Sequence, residues 1–351
     1  MPTLAPDRLR AVISLIVRRM GSSDAETREV ADHLIRANLA GHDSHGVGML
    51  PTYIRLLQEG LLVPNQTLET VLDFGALLVL DAHRGFGQRM AADAVRRAMA
   101  RARELGACVL GLRNSSHIGR AGTYGELAAN EGMAFIGYVN VADHRDVAAP
   151  WGCGEARVGT NPFVTAVPGA NGPMLLDMAT TTIAAGKARI ARNKGVPVPE
   201  DCLIDPEGRP TTDPTGFIDD RSGALLTFGR HKGSGLAVMC EIMAGAVAGG
   251  QRTDQPRKNG VLNSMFAVLI DLSRIGDRSN IIAGVEATRA HVRSARVAPG
   301  FSEILLPGEA ERRAAAERAR GIPVDDRTWQ QVREAAAKLG ITEAELERAN
   351  G

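Results

Sequence analysis

Apolar residues recur with helical spacing at both ends of this chain and with strand spacing in between, and that order of periods limits the folds open to it. Near the N-terminus Leu9, Val12, Ile13, Ile16 and Met20 share one helical face and Gly21 ends the element. Ser23 and Glu26 then form a capping box for a second helix, which Gly41 closes after Ala40. Pro51 marks a third helix through Leu56 and Leu57, stopped by Gly60. From Thr67 the period changes. Residues 67–73 alternate, 76–80 are a short apolar run, and 108–112, 133–141, 174–177 and 265–272 read as strands. Residues 88–104, 124–130 and 236–248 read as helices, MATTT (178–182) opens another carrying Lys187 and Arg189, and the Pro-, Asp- and Gly-rich 195–223 is a surface excursion. Beyond Ile281 helical patterns return over 309–320, 328–339 and 342–350. The simplest architecture is α/β: an α-rich domain from residues 1–74 plus 284–351, with an α/β domain, 75–283, inserted into it.

The chain has 351 residues, is 44% apolar and carries a formal charge of +1, with no basic run interleaved with aromatics, so nucleic acid is not an expected partner. The apolar stretches fall short of the roughly twenty residues that cross a bilayer, and the charged N-terminal segment reads as a surface helix, not a signal. Cys108, Cys153, Cys202 and Cys240 form no C-x-x-C pair, which fits a reducing compartment, and a cytoplasmic location is expected.

Chemistry concentrates in two glycine-bounded loops. GHDSHG (41–46) is a helix-to-helix corner holding His45 beside Ser44, and NSSHIGRAG (114–122) holds His117 beside Ser116. An imidazole in such a break can exchange protons near neutral pH. For a single loop histidine turn stabilisation is the stronger reading, and with two such loops in one chain the two readings balance. His42 and His45 with His117 or Asp177 would be a zinc-type set, but HDSH lacks the H-E-x-x-H arrangement, and no metal is expected. GFGQRM (85–90) lacks the third glycine of a dinucleotide fingerprint, and AAGKA around Lys187 lacks the first glycine and the hydroxyl of a P-loop. Two helix starts remain as anion sites: HKGSG with Lys232, and GRAG with Arg120.

Taken together, GHDSHGVGMLPTYI, NSSHIGRAGTYGELA, GTNPF, PMLLDMAT, GVPVP, PTTDP, HKGSGLA and LPGE, in this order from about Ala31 to Pro323, resemble the type-2 malate/lactate dehydrogenase family. The resemblance implies a homodimer and a non-Rossmann nicotinamide-binding domain with a mixed, largely antiparallel sheet. It also implies reversible hydride transfer between NAD(P)H, NAD(H) being the first choice over NADP(H), and a small-molecule partner, a 2-oxo acid that becomes a 2-hydroxy acid. Motif matching assigns acid/base roles to His45 and His117, with Ser44 orienting. It assigns cofactor contacts to His45, Gly119, Arg120, Ala121, Leu175, Leu176, Asp177, Met178, Ala179, His231, Lys232, Asn263, Leu306, Pro307, Gly308 and Glu309. Many members carry arginine where this chain has Met49, so Arg120 is expected to share in gripping the substrate carboxylate, or else to serve the cofactor phosphates. Met49 then leaves an apolar wall suited to larger or aromatic 2-oxo acids. Competing expectations are reduction of a cyclic imine acid, a metal-dependent hydrolase using His42, His45 and Asp177, and a non-catalytic ligand-binding protein.

Overall fold

The computed structural model describes residues 3–350. Helix α1 (Pro6–Arg19) starts on a proline, whose missing N–H is one a first turn leaves unbonded anyway, and it buries Leu9, Val12, Ile13, Ile16 and Val17. Helix α2 (Asp24–Leu39) is capped by Ser23, which accepts the Glu26 N–H at 3.3 Å. The expected capping box closes only halfway. The Glu26 carboxylate instead accepts the Asn65 N–H at 2.9 and 3.1 Å, and Asn65 Oδ1 takes the Ser23 N–H at 2.7 Å. A side chain distant in sequence thus completes the cap because Glu26 is fully buried against it. Helix α3 (Leu50–Gln58) follows the GHDSHG corner.

The middle of the chain builds a seven-stranded sheet from β1 (Glu69–Phe74), β2 (Leu77–Asp81), β3 (Ala107–Ser116), β4 (Met133–Ala142), β5 (Phe163–Val167), β6 (Met174–Met178) and β7 (Leu262–Asp271). Their order is β1-β2-β3-β7-β4-β5-β6. Only β2 and β3 run parallel, joined by helix α4 (Gly87–Leu105); the other neighbours pair antiparallel. Helix α5 (Gly122–Asn130) covers the sheet beside α4, and Leu80, Val95, Leu110, Leu112, Tyr124, Phe135 and Met265 fill the layer between. The sheet therefore begins at Glu69, inside the stretch expected to belong to the α-rich part. β1 is exposed along its whole length, because it is an edge strand whose register with β2 slips between Thr70 and Leu72.

Two expectations for the middle change. MATTT does not open a helix: Thr180 and Thr182 donate their N–H groups to Thr160 and Leu226, and helix α6 begins only at Ala185 (Ala185–Lys194). Three consecutive β-branched residues favour that extended course. Residues 195–223 are more than an excursion. Leu203–Ile204 and Pro210–Thr211 join Ala224–Leu226 and Ala148–Ala149 in a four-stranded sheet, over a small core of Val147, Ala188, Cys202, Leu203, Phe217 and Leu225.

Helix α7 (His231–Cys240) starts earlier than its apolar pattern, so HKGSG is its first turn, and it widens into a π-helical stretch over Glu241–Val247. Helices α8 (Arg278–Arg293), α9 (Glu309–Arg318), α10 (Asp326–Ala337) and α11 (Glu343–Asn350) complete the chain. Val332, Ala336, Ile341 and Leu346 from this end pack with Leu9, Ile13, Leu34, Tyr53 and Ile54 in one core, and Thr3–Leu4 pairs with Ile322–Pro323. Among the described residues no helix is long and apolar enough to cross a membrane.

Candidate active site

The corner between α2 and α3 is held by long-range bonds. Asn38, 2% exposed near the end of α2, accepts the Val47 N–H on Oδ1 at 2.8 Å and donates from Nδ2 to Asp43 at 2.8 Å. Arg318 of α9 grips both oxygens of Asp43, at 2.7 and 3.1 Å, and bonds the Asn38 carbonyl. A Cβ on Gly46 would overlap the Asn38 amide, so only glycine lets the chain pass this anchor. Gly46→Ala is expected to cost about 1–3 kcal/mol of stability and to lower turnover with it, read by urea unfolding and by kcat.

The corner projects His45, whose Nδ1 lies 2.9 Å from Ser44 Oγ. His117 arrives from the end of β3 and stacks on it, with ring centroids 5.5 Å apart and planes 21° off parallel. The His117 loop is pinned residue by residue. Ile118 N–H donates to Asn263 Oδ1 at 2.9 Å, Tyr124 Oη donates to the Ile118 carbonyl at 2.5 Å, and Arg120 N–H donates to His33 Nε2 at 2.9 Å. Gly119 has φ +74°, and a Cβ there would overlap the His33 ring. On its far side His117 Nδ1 meets Tyr53 Oη at 2.8 Å.

Asp177, near the end of β6, lies close enough to His45 for its charge to act on that imidazole. Arg120, 3% exposed, reaches Glu126 at 3.0 Å through Nη1, and its Nε lies 3.4 Å from Asp177, yet Nε and Nη2 have no hydrogen-bond partner. Burial pushes the His45 imidazole down to about 4; Asp177 opposes that shift, while His42 and Arg120 add to it. Burial, then the neighbouring His45, His33 and His144, hold His117 well below the ordinary histidine range. Burial likewise lowers His33 to about 3. Two neutral imidazoles thus face each other in the ligand-free protein, and repulsion lets only one of them take a proton at a time.

The remaining expected residues fall in two groups. Gly119–Gly122, Leu175–Asp177 and Leu306–Gly308 converge: Cβ atoms on Gly122 and Gly308 would run into Asp177 and Leu175. Thr180 links Met178 and Ala179 to the start of α7 by accepting the Phe228 N–H at 3.1 Å. His231 and Lys232 are exposed, but the N–H groups of Lys232, Gly233 and Ser234 already donate to Gly229, Phe228 and Arg230, so the free amides expected at HKGSG reduce to side-chain contacts. Asn263 is engaged on both sides, its Oδ1 accepting the Ile118 N–H and its Nδ2 donating one hydrogen to the Asn140 carbonyl at 2.8 Å. Pro307 is exposed, and Glu309 closes its own loop on the Leu306 N–H at 2.9 Å. Met49 packs partly against the helical core. Sequence reasoning missed His33, Asn38, Tyr53 and Gln88 as supports; Tyr53 at least lies within the quoted corner motif. Among the described residues no three His, Cys, Asp or Glu side chains are grouped as metal ligands.

Known proteins share this arrangement of chain. A family model described as malate/L-lactate dehydrogenase matches residues 4–333. Hydroxycarboxylate dehydrogenase B of Escherichia coli K12 is 43% identical over 345 residues, covering 97% of this chain and 95% of that protein. A solved E. coli structure assigned to the malate/lactate dehydrogenases superimposes with a TM-score of 0.94 at 40% identity, covering 99% of this chain and 98% of that one. The sulfolactate dehydrogenase structure from Methanocaldococcus jannaschii gives 0.87 at 32% identity, covering 99% of each chain. Likeness that runs through both histidine loops, the sheet and the terminal helices alike leaves one assignment: the chain belongs to the malate/L-lactate dehydrogenase family.

Proposed function

We propose that this protein interconverts a 2-oxo acid and its 2-hydroxy acid with a nicotinamide cofactor, using His45 as acid/base and His117 as the group that polarises the carbonyl. The observation that carries the reading is the stack of two imidazoles from loops 72 residues apart. The residues present fit the cofactor: the segments of Gly119, Arg120 and Ala121, of Leu175 through Ala179 and of Leu306 through Glu309 pack together through Gly122 and Gly308, and the buried Nη2 of Arg120, which has no hydrogen-bond partner, can take an anion or a carbonyl. His231 and Lys232 offer side-chain contacts, and Asn263 contributes by placing the His117 loop. A bound nicotinamide supplies or accepts the hydride. His117 donates a hydrogen bond to the carbonyl oxygen as negative charge grows there, His45 delivers the proton, and Ser44 orients His45. In the reverse direction neutral His45 accepts the hydroxyl proton.

The sign of the pH dependence follows. With His45 at about 4 in the free protein, kcat/KM for hydroxy-acid oxidation is expected to be level above about pH 5 and to fall below it. For oxo-acid reduction, which needs the protonated form, kcat/KM is expected to fall about tenfold per unit as the pH rises past that value. A matched pair of pH–rate profiles checks both.

For the substrate, Met49 supports larger or aromatic 2-oxo acids, and Arg120 supports part of the carboxylate grip. Arg120→Met is expected to raise the KM for the oxo acid severalfold; a rise confined to NADH removes the substrate role. Phe301, 73% exposed between α8 and α9, supports a homodimer, with the helical unit built from both termini carrying substrate and partner contacts. A panel of oxaloacetate, 2-oxoglutarate and phenylpyruvate, each assayed with NADH, the expected cofactor, and with NADPH, tests the whole reading. Absence of turnover throughout overturns it, and a cyclic imine acid in the same panel tests the runner-up.

A further inference from the structure

Behind His117 lies a hydrogen-bond chain made of two side chains that reach no solvent. Tyr53 and Gln88 are both fully buried, Tyr53 Oη is 2.8 Å from His117 Nδ1, and Gln88 Nε2 donates to Tyr53 Oη at 2.6 Å. They come from α3 and α4, and His117 from the loop after β3, so three separate elements meet at this point. The meeting is built in: a Cβ on Gly87 would collide with the Ser116 and His117 carbonyls, so glycine brings the first turn of α4 against the His117 backbone. Phe86, edge-on to Tyr53 at 5.9 Å and 89°, fixes the phenol ring.

A phenol has a single hydrogen, and burial raises the Tyr53 pKa, so that hydrogen stays in place at working pH. Tyr53 Oη accepts from Gln88, and a buried O–H left without an acceptor is costly, so the phenol hydrogen goes to its other neighbour, His117 Nδ1. A ring nitrogen that accepts carries no hydrogen. The proton of the neutral imidazole therefore sits on Nε2.

We propose that Gln88 and Tyr53 are positioning residues that fix His117 in its Nε2–H form, making it a permanent hydrogen-bond donor to the substrate and leaving proton transfer to His45. The division of labour rests on the reading of the site as a 2-oxo-acid reductase; the tautomer itself does not. The reversed Gln88 amide makes the opposite prediction. Its Oε1, which has no partner, would take the phenol hydrogen, and Tyr53 Oη would then accept from an Nδ1–H on His117.

Long-range 15N–1H correlation spectra of the imidazole-labelled full-length protein at neutral pH separate the two. The expected result is a bare Nδ1 and a protonated Nε2 on His117. Tyr53→Phe, which keeps the ring and removes the donor, is expected to give mixed tautomers. It is also expected to lower kcat for 2-oxo-acid reduction roughly 10- to 100-fold while the KM for NADH stays unchanged, the range seen when the partner orienting an imidazole is removed. Gln88→Met, which frees Tyr53 to bond in either direction, is a second variant with the same expected mixture. An Nδ1–H His117 in the wild type, or an unchanged tautomer in both variants, overturns the proposal. If the wild-type protein reduced no 2-oxo acid, the functional reading would fall while the spectra still decided the tautomer.

Discussion

His45→Ala is expected to lower kcat by roughly 10²–10⁴-fold for both oxo-acid reduction and hydroxy-acid oxidation, because one imidazole gives the proton in one direction and takes it in the other. The His45 ring bonds its neighbour Ser44 and stacks on His117 without anchoring a helix or a strand, so the variant is expected to unfold at nearly the wild-type urea concentration. His117→Ala is expected to retain proton transfer but to lose the polarising bond, with a drop of about 10²–10³-fold, the range for removing one donor aimed at a developing oxyanion. Steady-state kinetics of the two variants separates the roles. Near-wild-type turnover in both would show that the stacked pair does not carry the reaction.

The second large effect is on stability in acid. His33 is 4% exposed in α2, accepts the Arg120 N–H, and is held at about 3 against 6.5 in the unfolded chain. Its folded-state pKa is lowered, so between those values the unfolded chain binds the extra proton, and unfolding free energy falls as the pH falls. At about 1.4 kcal/mol per pKa unit, His33 alone is expected to remove about 2–3 kcal/mol between pH 6.5 and 4.5. His45 and His117 act in the same direction. That window lies mostly above the carboxylate range, so urea unfolding across it reports chiefly on histidines. His33→Gln, whose side-chain carbonyl can still accept the Arg120 N–H, is expected to flatten the slope. A wild-type stability that stays level from pH 6.5 to 4.5 would rule this out.

The sequence announced the two loops that matter but hid what holds them. Gly41, Pro51 and Gly60 punctuate helices where local backbone preference dominates, and α1 and α3 form where the apolar period places them. MATTT went the other way because Thr180 and Thr182 bond to Thr160 and Leu226, which no local period records, and residues 195–223 because their strands are two residues long, too short for an alternating pattern to show. The same applies to the supports of the site. His33, Asn38 and Gln88 occupy ordinary helical positions, and nothing in their spacing distinguishes a residue anchoring a loop from one filling a core.

By itself, then, the sequence determined the order of helical and strand segments and the chemistry available: two loop histidines, an arginine and an aspartate at the end of a strand. Those properties are set by side-chain type and by neighbours a few residues away. Only the tertiary structure decided that His45 and His117 stack at 5.5 Å, that the charge of Asp177 reaches His45, and that Arg120 is buried between two carboxylates. Residues 45, 53, 88, 117 and 177 come from different elements. Their distances are fixed by sheet register and by how closely glycines 46, 87, 119 and 122 let those elements approach, and both exist only once the cores have closed.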